Sequence, residues 1–345
     1  MEPLFGIELI SQTKAAKFLD VSSLMLTKLE EHGILHPQIV NDKKAYNLHE
    51  VEALKTDPSF AEFVKPKVAK NNTLNDLTGA EWIPETKSYM MQKGLGANHP
   101  DAQIEKLHPA PYSFQDIERL ILFFTKKGMS VLDPFGGIGS TAKACELTGR
   151  KCISIELSPK YHELSVLRLE KEVGQGASLN HTFINGDSCQ ILPTLENNSV
   201  DMVVTSPPYW GILHKQDRKV ESERIANNLD TKYSDSEQDL GNVKDYQQFL
   251  QILMDQVFMQ CARVLRKGKY MMLVVSDFRD KGEYISFHSD LIHALNHKSV
   301  QGGGKLILQG TKVLIQNHKR MMPYGYPSTY VENIHHQYII IFRKI

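Results

Sequence analysis

Three strand ends in this chain carry side chains whose types and spacing could hold one small ligand. Asp133-Pro134-Phe135-Gly136-Gly137-Ile138-Gly139-Ser140-Thr141 follows an apolar run and opens a helical pattern. Glycines there permit a tight turn and bring backbone amides close to a ligand at the strand's carboxyl end. No Gly-Lys-Ser/Thr follows, so the turn is not a triphosphate cradle of the Walker kind. Glu156 ends the next apolar run, CISIEL, 17 residues after Gly139, where a carboxylate can accept from ribose hydroxyls. Asp187, in Gly186-Asp187-Ser188, ends a third run and can accept from an adenine amino group. Together these groups suit an adenosine-bearing ligand.

A fourth run ends in Thr205-Ser206-Pro207-Pro208-Tyr209-Trp210. Two adjacent prolines cannot donate ladder hydrogen bonds, so the strand stops there with polar and aromatic side chains at its tip. An exocyclic amine is a poor nucleophile because its lone pair is delocalised into the ring. The Ser206 hydroxyl and the Pro207 carbonyl could act as acceptors around such an NH2 group. Tyr209 could stack on a base taken out of its helix, and Trp210 beside it could narrow the pocket.

The elements that must position these residues are legible as pattern. SVLDPF, CISIEL, HTFING and VDMVVTSPP alternate with helical segments such as TAKACELTG and KYHELSVLRLEKEV. That alternation predicts an α/β fold, a parallel Rossmann-like sheet covered on both faces. A long helix, YQQFLQILMDQVFMQCARVLRKG, leads to a strand, MMLVVSDF, and the last strands are KVLIQN and HQYIIIFRK. Residues 11–56 read as a small helical unit with a hairpin at NDKKAYN and Gly33 as a helix C-cap. The expected organisation is an N-terminal domain over 1–60, a linker over 61–79 that includes the polar stretch KNNTLND, and a catalytic domain over 80–345.

Composition excludes several classes. The hydrophobic fraction is 41% and the charged fraction 23%, ordinary for a globular protein. No run of about 18 apolar residues exists, so no membrane partner is expected, and the N-terminus lacks the pattern of a secretory signal. The cysteines at 145, 152, 189 and 261 form no C-x-x-C pair, which argues against zinc or disulfides and fits a reducing cytoplasm. No metal is expected; His335 and His336 are adjacent on a strand and point opposite ways. Formal net charge is zero, so the chain does not resemble a nucleic-acid coat, although a local basic cleft remains compatible.

DPFGGIGST resembles the D-P-F-x-G-x-G-[ST] motif of amino-group DNA methyltransferases, which bind S-adenosylmethionine. The resemblance implies that Asp133, Pro134, Phe135, Gly136, Gly137, Gly139, Ser140 and Thr141 hold the methionine part. Glu156 with Leu157 would hold the ribose, and Asp187 with Ser188 the adenine. Thr86-Lys87-Ser88 and His108-Pro109-Ala110-Pro111-Tyr112 are similar to the segment that packs over the methionine in that family, which makes Lys87, Ser88, Pro111 and Tyr112 candidates; PAPYS also reads simply as a turn before the helix FQDIERLILFF. Ser-Pro-Pro-Tyr resembles the family's [DNS]-P-P-[YFW] tetrapeptide, which makes Ser206, Pro207, Pro208 and Tyr209 the candidate catalytic residues. Serine in the first position favours methylation of cytosine N4 by base flipping. Adenine N6, an RNA base, and a regulator without chemistry are the alternatives. The implied partners are double-stranded DNA and a cognate restriction endonuclease. The N-terminal unit resembles a MerR-type winged helix-turn-helix, but residues 1–70 hold nine Lys/Arg against ten Asp/Glu, and packing as an adaptor is the other reading. Target reading has two candidates: the polar stretch 211–245, and the C-terminal segments Gln316-Asn317-His318-Lys319-Arg320 and Pro323-Tyr324-Gly325-Tyr326-Pro327, which mix cations, amides and aromatics.

Overall fold

Every residue of Val200–Thr205 is buried, as a strand covered on both faces requires. The computed structural model describes residues 8–65, 67–92, 95, 99–211, 236, 238–317, 319 and 321–345. The chain divides into two units, Met1–Ala69 and Lys70–Ile345.

The small unit contains β1 (Leu9–Ser11), α1 (Gln12–Leu19), α2 (Ser23–Glu31), β2 (Gln38–Val40), β3 (Lys43–Asn47), α3 (Leu48–Lys55) and α4 (Pro58–Val64). Ser11, Ser22, Asn47 and Asp57 cap the four helices through their side chains. Asn41 and Asp42 both adopt positive φ, the conformation that closes a two-residue hairpin. The strands pair in the order β1-β3-β2. The core joins Ala15, Leu19, Leu26, Leu29, Tyr46 and Val51, all buried.

The large unit begins with α5 (Gly79–Glu85), β4 (Tyr89–Met91) and α6 (Phe114–Phe124). Then follow β5 (Ser130–Asp133), α7 (Ser140–Thr148), β6 (Lys151–Glu156), α8 (Pro159–Glu172), β7 (Thr182–Asn185) and β8 (Val200–Thr205). A helical run, α9, joins Tyr246–Ile252, a π-helical stretch Leu253–Phe258, and Met259–Val264. The last elements are β9 (Leu265–Val275), β10 (Phe278–Asp280), β11 (Glu283–Ile285), α10 (Phe287–Leu295), β12 (Leu306–Ile315) and β13 (His336–Lys344).

Eight strands form one sheet in the order β4-β12-β13-β9-β8-β5-β6-β7. From β9 to β7 all neighbours are parallel, while β13 runs antiparallel to β9 and β12. This is the expected α/β, Rossmann-like sheet. Side chains alternate between its faces. Leu132, Val203, Leu273 and Val275 meet Phe249, Val257 and Phe258 of α9 on one face. Val131, Met202, Val204 and Met272 meet Ile117, Leu120 and Ile121 of α6 on the other. Each such burial contributes about 1.5–3 kcal/mol. After β7 at the sheet edge the chain crosses back to β8 beside β5. That reversal opens a crevice at the strands' carboxyl ends, where α/β folds bind ligands.

Two stretches differ from expectation. The helix expected through RVLRKG stops at Val264, and the strand begins at Leu265, paired with Val200. The Lys344 ammonium donates to the Arg263 and Leu265 carbonyls at 3.2 and 2.7 Å, so these helix-end acceptors are satisfied without another turn. KNNTLND, expected to be linker, is an ordered turn on the large unit. The buried Asn75 amide donates to the Phe123 carbonyl at 2.6 Å, and Lys126 donates to the Asn72 carbonyl. Among the described residues no helix is long and apolar enough to cross a membrane.

Candidate active site

At the end of β5 the chain turns through Gly136, whose amide donates to the Ile155 carbonyl of β6 at 2.8 Å. A Cβ on Gly136 would meet the Ser154 hydroxyl at 2.0 Å. Gly139, at φ 76°, heads α7, and a Cβ there would meet Ser165 of α8 at 2.9 Å. The two glycines therefore serve close approach and left-handed geometry. Gly137 points its amide at Glu156 Oε2, 2.8 Å away, and Ser158 donates to the other carboxylate oxygen at 2.8 Å. Burial raises the Glu156 carboxyl to about 7 despite these two bonds.

The helix behind the turn is held by buried charges. Arg168 of α8, wholly buried, donates to the Ser140 hydroxyl at 3.0 Å and pairs with Glu172 and Glu105 at 2.8 Å each. Lys143 of α7 pairs with Asp101 and Glu172 at 2.6 and 2.7 Å. This network ties α7 and α8 to the segment that leads into His108.

A cleft of about 870 Å3, open to solvent, lies over the turn. Of the expected cofactor residues, Pro111, Tyr112, Pro134, Phe135, Gly136, Gly137, Ser140, Glu156, Leu157, Asp187 and Ser188 line it. Asp187 caps the next helical turn through the Cys189 amide at 2.9 Å, and the Ser188 hydroxyl donates to the Pro134 carbonyl. Ser206, Pro207 and Pro208 line the same cleft. The structure thus brings the two groups of residues together.

Other expected residues lie elsewhere. Asp133 is wholly buried beneath the cleft. Its carboxylate accepts from Thr205 Oγ1 and Tyr112 OH at 2.6 Å each, from the Phe135 amide at 3.1 Å, and from Thr141. With its acceptor sites filled it fastens the walls and is not one of them. Burial raises its carboxyl, and Thr141, Thr205 and Tyr112 oppose that shift. Thr141 and Gly139 also stand behind the lining. Lys87 and Ser88 are exposed at the edge strand β4, where their carbonyls accept from Lys312 and Val313, away from the cleft. Tyr209 is half-buried and outside the cleft, its hydroxyl accepting from Gln337 of β13 at 2.7 Å. Burial pushes the Tyr209 phenol up, while bonds from Gln337 and Ser206 work the other way. Trp210 does not narrow the cleft: it packs on Tyr246 and Phe278, and its indole N–H donates to the Val243 carbonyl at 2.7 Å.

Several lining residues were not singled out by type or spacing. Tyr161, buried on α8, meets His108 ring to ring at 4.6 Å, and both face the cleft. Ser158-Pro159, a helix-start signal directly after Glu156, could have pointed to this wall. Gln238, Asp239 and Leu240 line it from the end of the 211–245 stretch; 212–235 and 237 lie outside the described residues. So do His318 and Arg320 of the C-terminal candidate.

Among the described lining residues none is lysine or arginine, whereas Glu156, Asp187 and Asp239 are acidic. Such walls suit a ligand with cationic centres and hydroxyl donors and disfavour phosphates. This acceptor set fits S-adenosylmethionine, with its sulfonium, ammonium, ribose hydroxyls and adenine amine.

A family model described as DNA methylase matches residues 21–167. That span holds the glycine turn and Glu156 and ends before Asp187 and Ser206. Among curated proteins, a protein named as a methylase, YubD of Escherichia coli (strain K12), is 38% identical over 80 residues, 22% of this chain and 35% of the relative. The type II methyltransferase M.Cfr9I of Citrobacter freundii is 40% identical over 65 residues, 19% of this chain and 22% of the relative. The chain thus spans about a third or less of the length of these relatives. Among solved structures, TrmN from Thermus thermophilus aligns over 72% of this chain and 53% of its own, at 17% identity and a TM-score of 0.40. The family match, which covers less than half of the chain, and these shared segments make the span with the glycine turn and Glu156 similar to DNA methylases.

Proposed function

We propose that this chain transfers a methyl group from S-adenosylmethionine to the exocyclic N4 of cytosine in double-stranded DNA. The observation that carries the reading is one cleft whose walls include both the acidic, glycine-turned cradle and the Ser206-Pro207-Pro208 tip. The DNA methylase model matched over residues 21–167 and the type II methyltransferase names of its relatives support DNA as the substrate.

When bound, S-adenosylmethionine supplies an activated methyl on its sulfonium sulfur. The chain's own residues do the rest. Glu156, held by two backbone amides, accepts from the ribose hydroxyls, and Asp187 accepts from the adenine amine. Tyr112, Phe135 and Tyr161 keep water from the reacting atoms. Ser206, by hydrogen-bonding its O–H to Tyr209, turns its lone pairs to one N–H of the base's amine, and the Pro207 carbonyl accepts a hydrogen bond from the other. Once the N–C bond forms and the S–C bond breaks, the neutral thioether departs and the methylated ammonium gives its extra proton to solvent. Two acceptors around one nitrogen favour its pyramidal form and stabilise the positive charge as the bond to carbon forms. Held in this geometry, amine and methyl react without a search for orientation. Tyr209, beside the tip, is the proposed stacking surface for the extruded base.

Serine at 206 favours cytosine. Adenine N6 is the second reading, favoured by one observation: Trp210 is turned away, so no indole narrows the site against a purine. Incubation with duplex DNA and labelled S-adenosylmethionine, followed by nucleoside mass spectrometry, tests both. N4-methylcytosine is expected. N6-methyladenine alone would reject the base, and label in tRNA or rRNA but not in duplex DNA would reject the substrate. The small unit is proposed as a winged helix-turn-helix that contacts the same duplex.

A further inference from the structure

The connection between β12 and β13, residues 316–335, emerges at the same end of the sheet as the Ser206 tip. Register fixes this: Tyr338 of β13 pairs with Val275 of β9, and Leu273 of β9 pairs with Thr205. Gln337, at the start of β13, holds the Tyr209 hydroxyl, and Gln316, at the end of β12, donates to the Gln337 side chain at 3.2 Å. The connection and the tip are therefore joined by side-chain bonds.

Its described residues are tied by their own bonds. The Gln316 amide donates to the His335 carbonyl at 2.7 Å, and the His335 ring meets the Lys319 carbonyl at 3.1 Å. Asn333 pairs its side-chain amide with the Met322 backbone in both directions, at 2.8 Å each. At the far end Gly325 turns with φ 73°, and its carbonyl accepts from the Ser328 and Thr329 amides. A Cβ on Gly325 would meet the Thr329 carbonyl at 2.3 Å.

This tied loop displays large side chains and does not bury them. Met321 is 78% exposed, Tyr324 51%, Tyr326 83% and Tyr330 88%. One exposed tyrosine needs no explanation, but three with a methionine on one ordered loop beside a reactive tip do. Flat rings with a polar edge match the faces of bases, and every base has a face to stack on. By sequence the loop's charged residues are Lys319, Arg320 and Glu332, one net positive charge, so it has little charge with which to grip phosphates.

We propose that the β12–β13 loop stacks Tyr326 and Tyr330 on bases of the DNA duplex beside the tip, holding the duplex where a base has left its stack. The proposal rests on DNA being the substrate of this site. Its signature is affinity without salt dependence, since stacking releases no counterions.

The test uses the full chain and a fluorescein-labelled 30-bp mixed-sequence duplex, read by anisotropy across a salt series. Tyr326→Ala with Tyr330→Ala is expected to lower affinity about tenfold or more, with an unchanged slope of log affinity against log salt. Tyr326→Phe with Tyr330→Phe keeps both rings and should restore binding. Calorimetric affinity for S-adenosylmethionine should equal wild type in both double variants. Unchanged DNA affinity in the alanine variant overturns the proposal. A loss accompanied by a flatter salt slope assigns phosphate contact and also overturns it. Wild-type self-association that disappears in the alanine variant makes the loop a protein contact instead. A wild type that binds the duplex through these tyrosines but transfers no methyl group sinks the activity proposed above and leaves the loop's role standing. A wild type that neither binds nor transfers removes both.

Discussion

Thr205 donates its hydroxyl to Asp133 Oδ1 at 2.6 Å, inside the sheet and out of contact with water. The bond joins β8, which ends in the candidate acceptors, to β5, which ends in the glycine turn. It sets the spacing between the two halves of the cleft. Thr205→Val keeps the shape and removes the donor, leaving a buried carboxylate short of one bond. A loss of about 1–3 kcal/mol in stability is expected from urea unfolding, with slower methyl transfer. An unchanged unfolding midpoint would show that the remaining donors suffice.

Gly136 and Ser154 make a second pair that can be tested by compensation. Gly136→Ala drives a Cβ into the Ser154 hydroxyl. The variant should lose about 1–3 kcal/mol of stability and most of its affinity for S-adenosylmethionine. Adding Ser154→Gly removes the obstructing side chain and should recover part of both. No recovery in the double variant would place the fault in the turn itself.

Glu156 links the cleft to pH. Its carboxyl sits at about 7 in the folded chain against 4.5 for the ordinary group. Between those values the native state keeps a proton that the unfolded chain has released. The residue's contribution to stability is therefore full below about 4.5 and is lost as pH rises through about 7. The loss is on the order of 3 kcal/mol, and Glu156→Gln should abolish this slope in urea midpoints measured across the range. Binding runs the opposite way, because the ionised carboxylate is the better acceptor for ribose hydroxyls. Calorimetric affinity for S-adenosylmethionine should tighten from about pH 6 to about pH 8 in the wild type and stay level in Glu156→Gln. Equal pH dependence in both proteins would remove Glu156 from the ligand's contacts.

Ser206→Ala deletes one proposed acceptor at the cleft wall. Single-turnover transfer should fall by about 100–1000-fold, the range for loss of one preorganised electrostatic contact, while S-adenosylmethionine affinity stays near wild type. Full transfer by this variant would dismiss the role given to Ser206.

Removal of residues 1–69 tests the small unit. The large unit holds its own cores on both faces of its sheet, so cofactor affinity should survive. If the small unit touches DNA, affinity should drop and its salt dependence should flatten, because phosphate contacts release counterions. The same affinity and slope as the full chain would favour an adaptor role.

What pattern alone revealed follows from what pattern encodes. The run at 200–205 is legible as a strand because burial on both faces demands a mostly apolar run, and those at 130–133, 151–156 and 182–185 because short segments rich in β-branched residues alternate with helical ones. The glycine turn and Glu156 are legible because their roles are local to a strand end. Asp133 shows the boundary. Its place in the motif suggested ligand contact, but its four donors come from Phe135, Tyr112, Thr141 and Thr205, and spacing does not report the distance from Asp133 to Thr205. Lys87 and Ser88 failed for the same reason: their position depends on β4 pairing with β12, more than 200 residues away. Trp210 looked free to line a pocket, yet Tyr246 and Phe278 offered it a core. Tyr161 carried no signal beyond the Ser158-Pro159 helix start, because only the packing of α8 on the glycine turn brings it to the cleft.

The buried ion network under the glycine turn separates two solution variables. Arg168 and Lys143 are at most 1% exposed; both meet Glu172, itself 5% exposed, while their outer partners Glu105 and Asp101 are only partly covered. Mobile ions screen such pairs far less than they screen contacts at a surface. Raising ionic strength should therefore leave the ligand cradle in place while it weakens phosphate contacts at the surface. Under the proposed function, a salt titration then reports those phosphate contacts, and a pH titration reports the cradle.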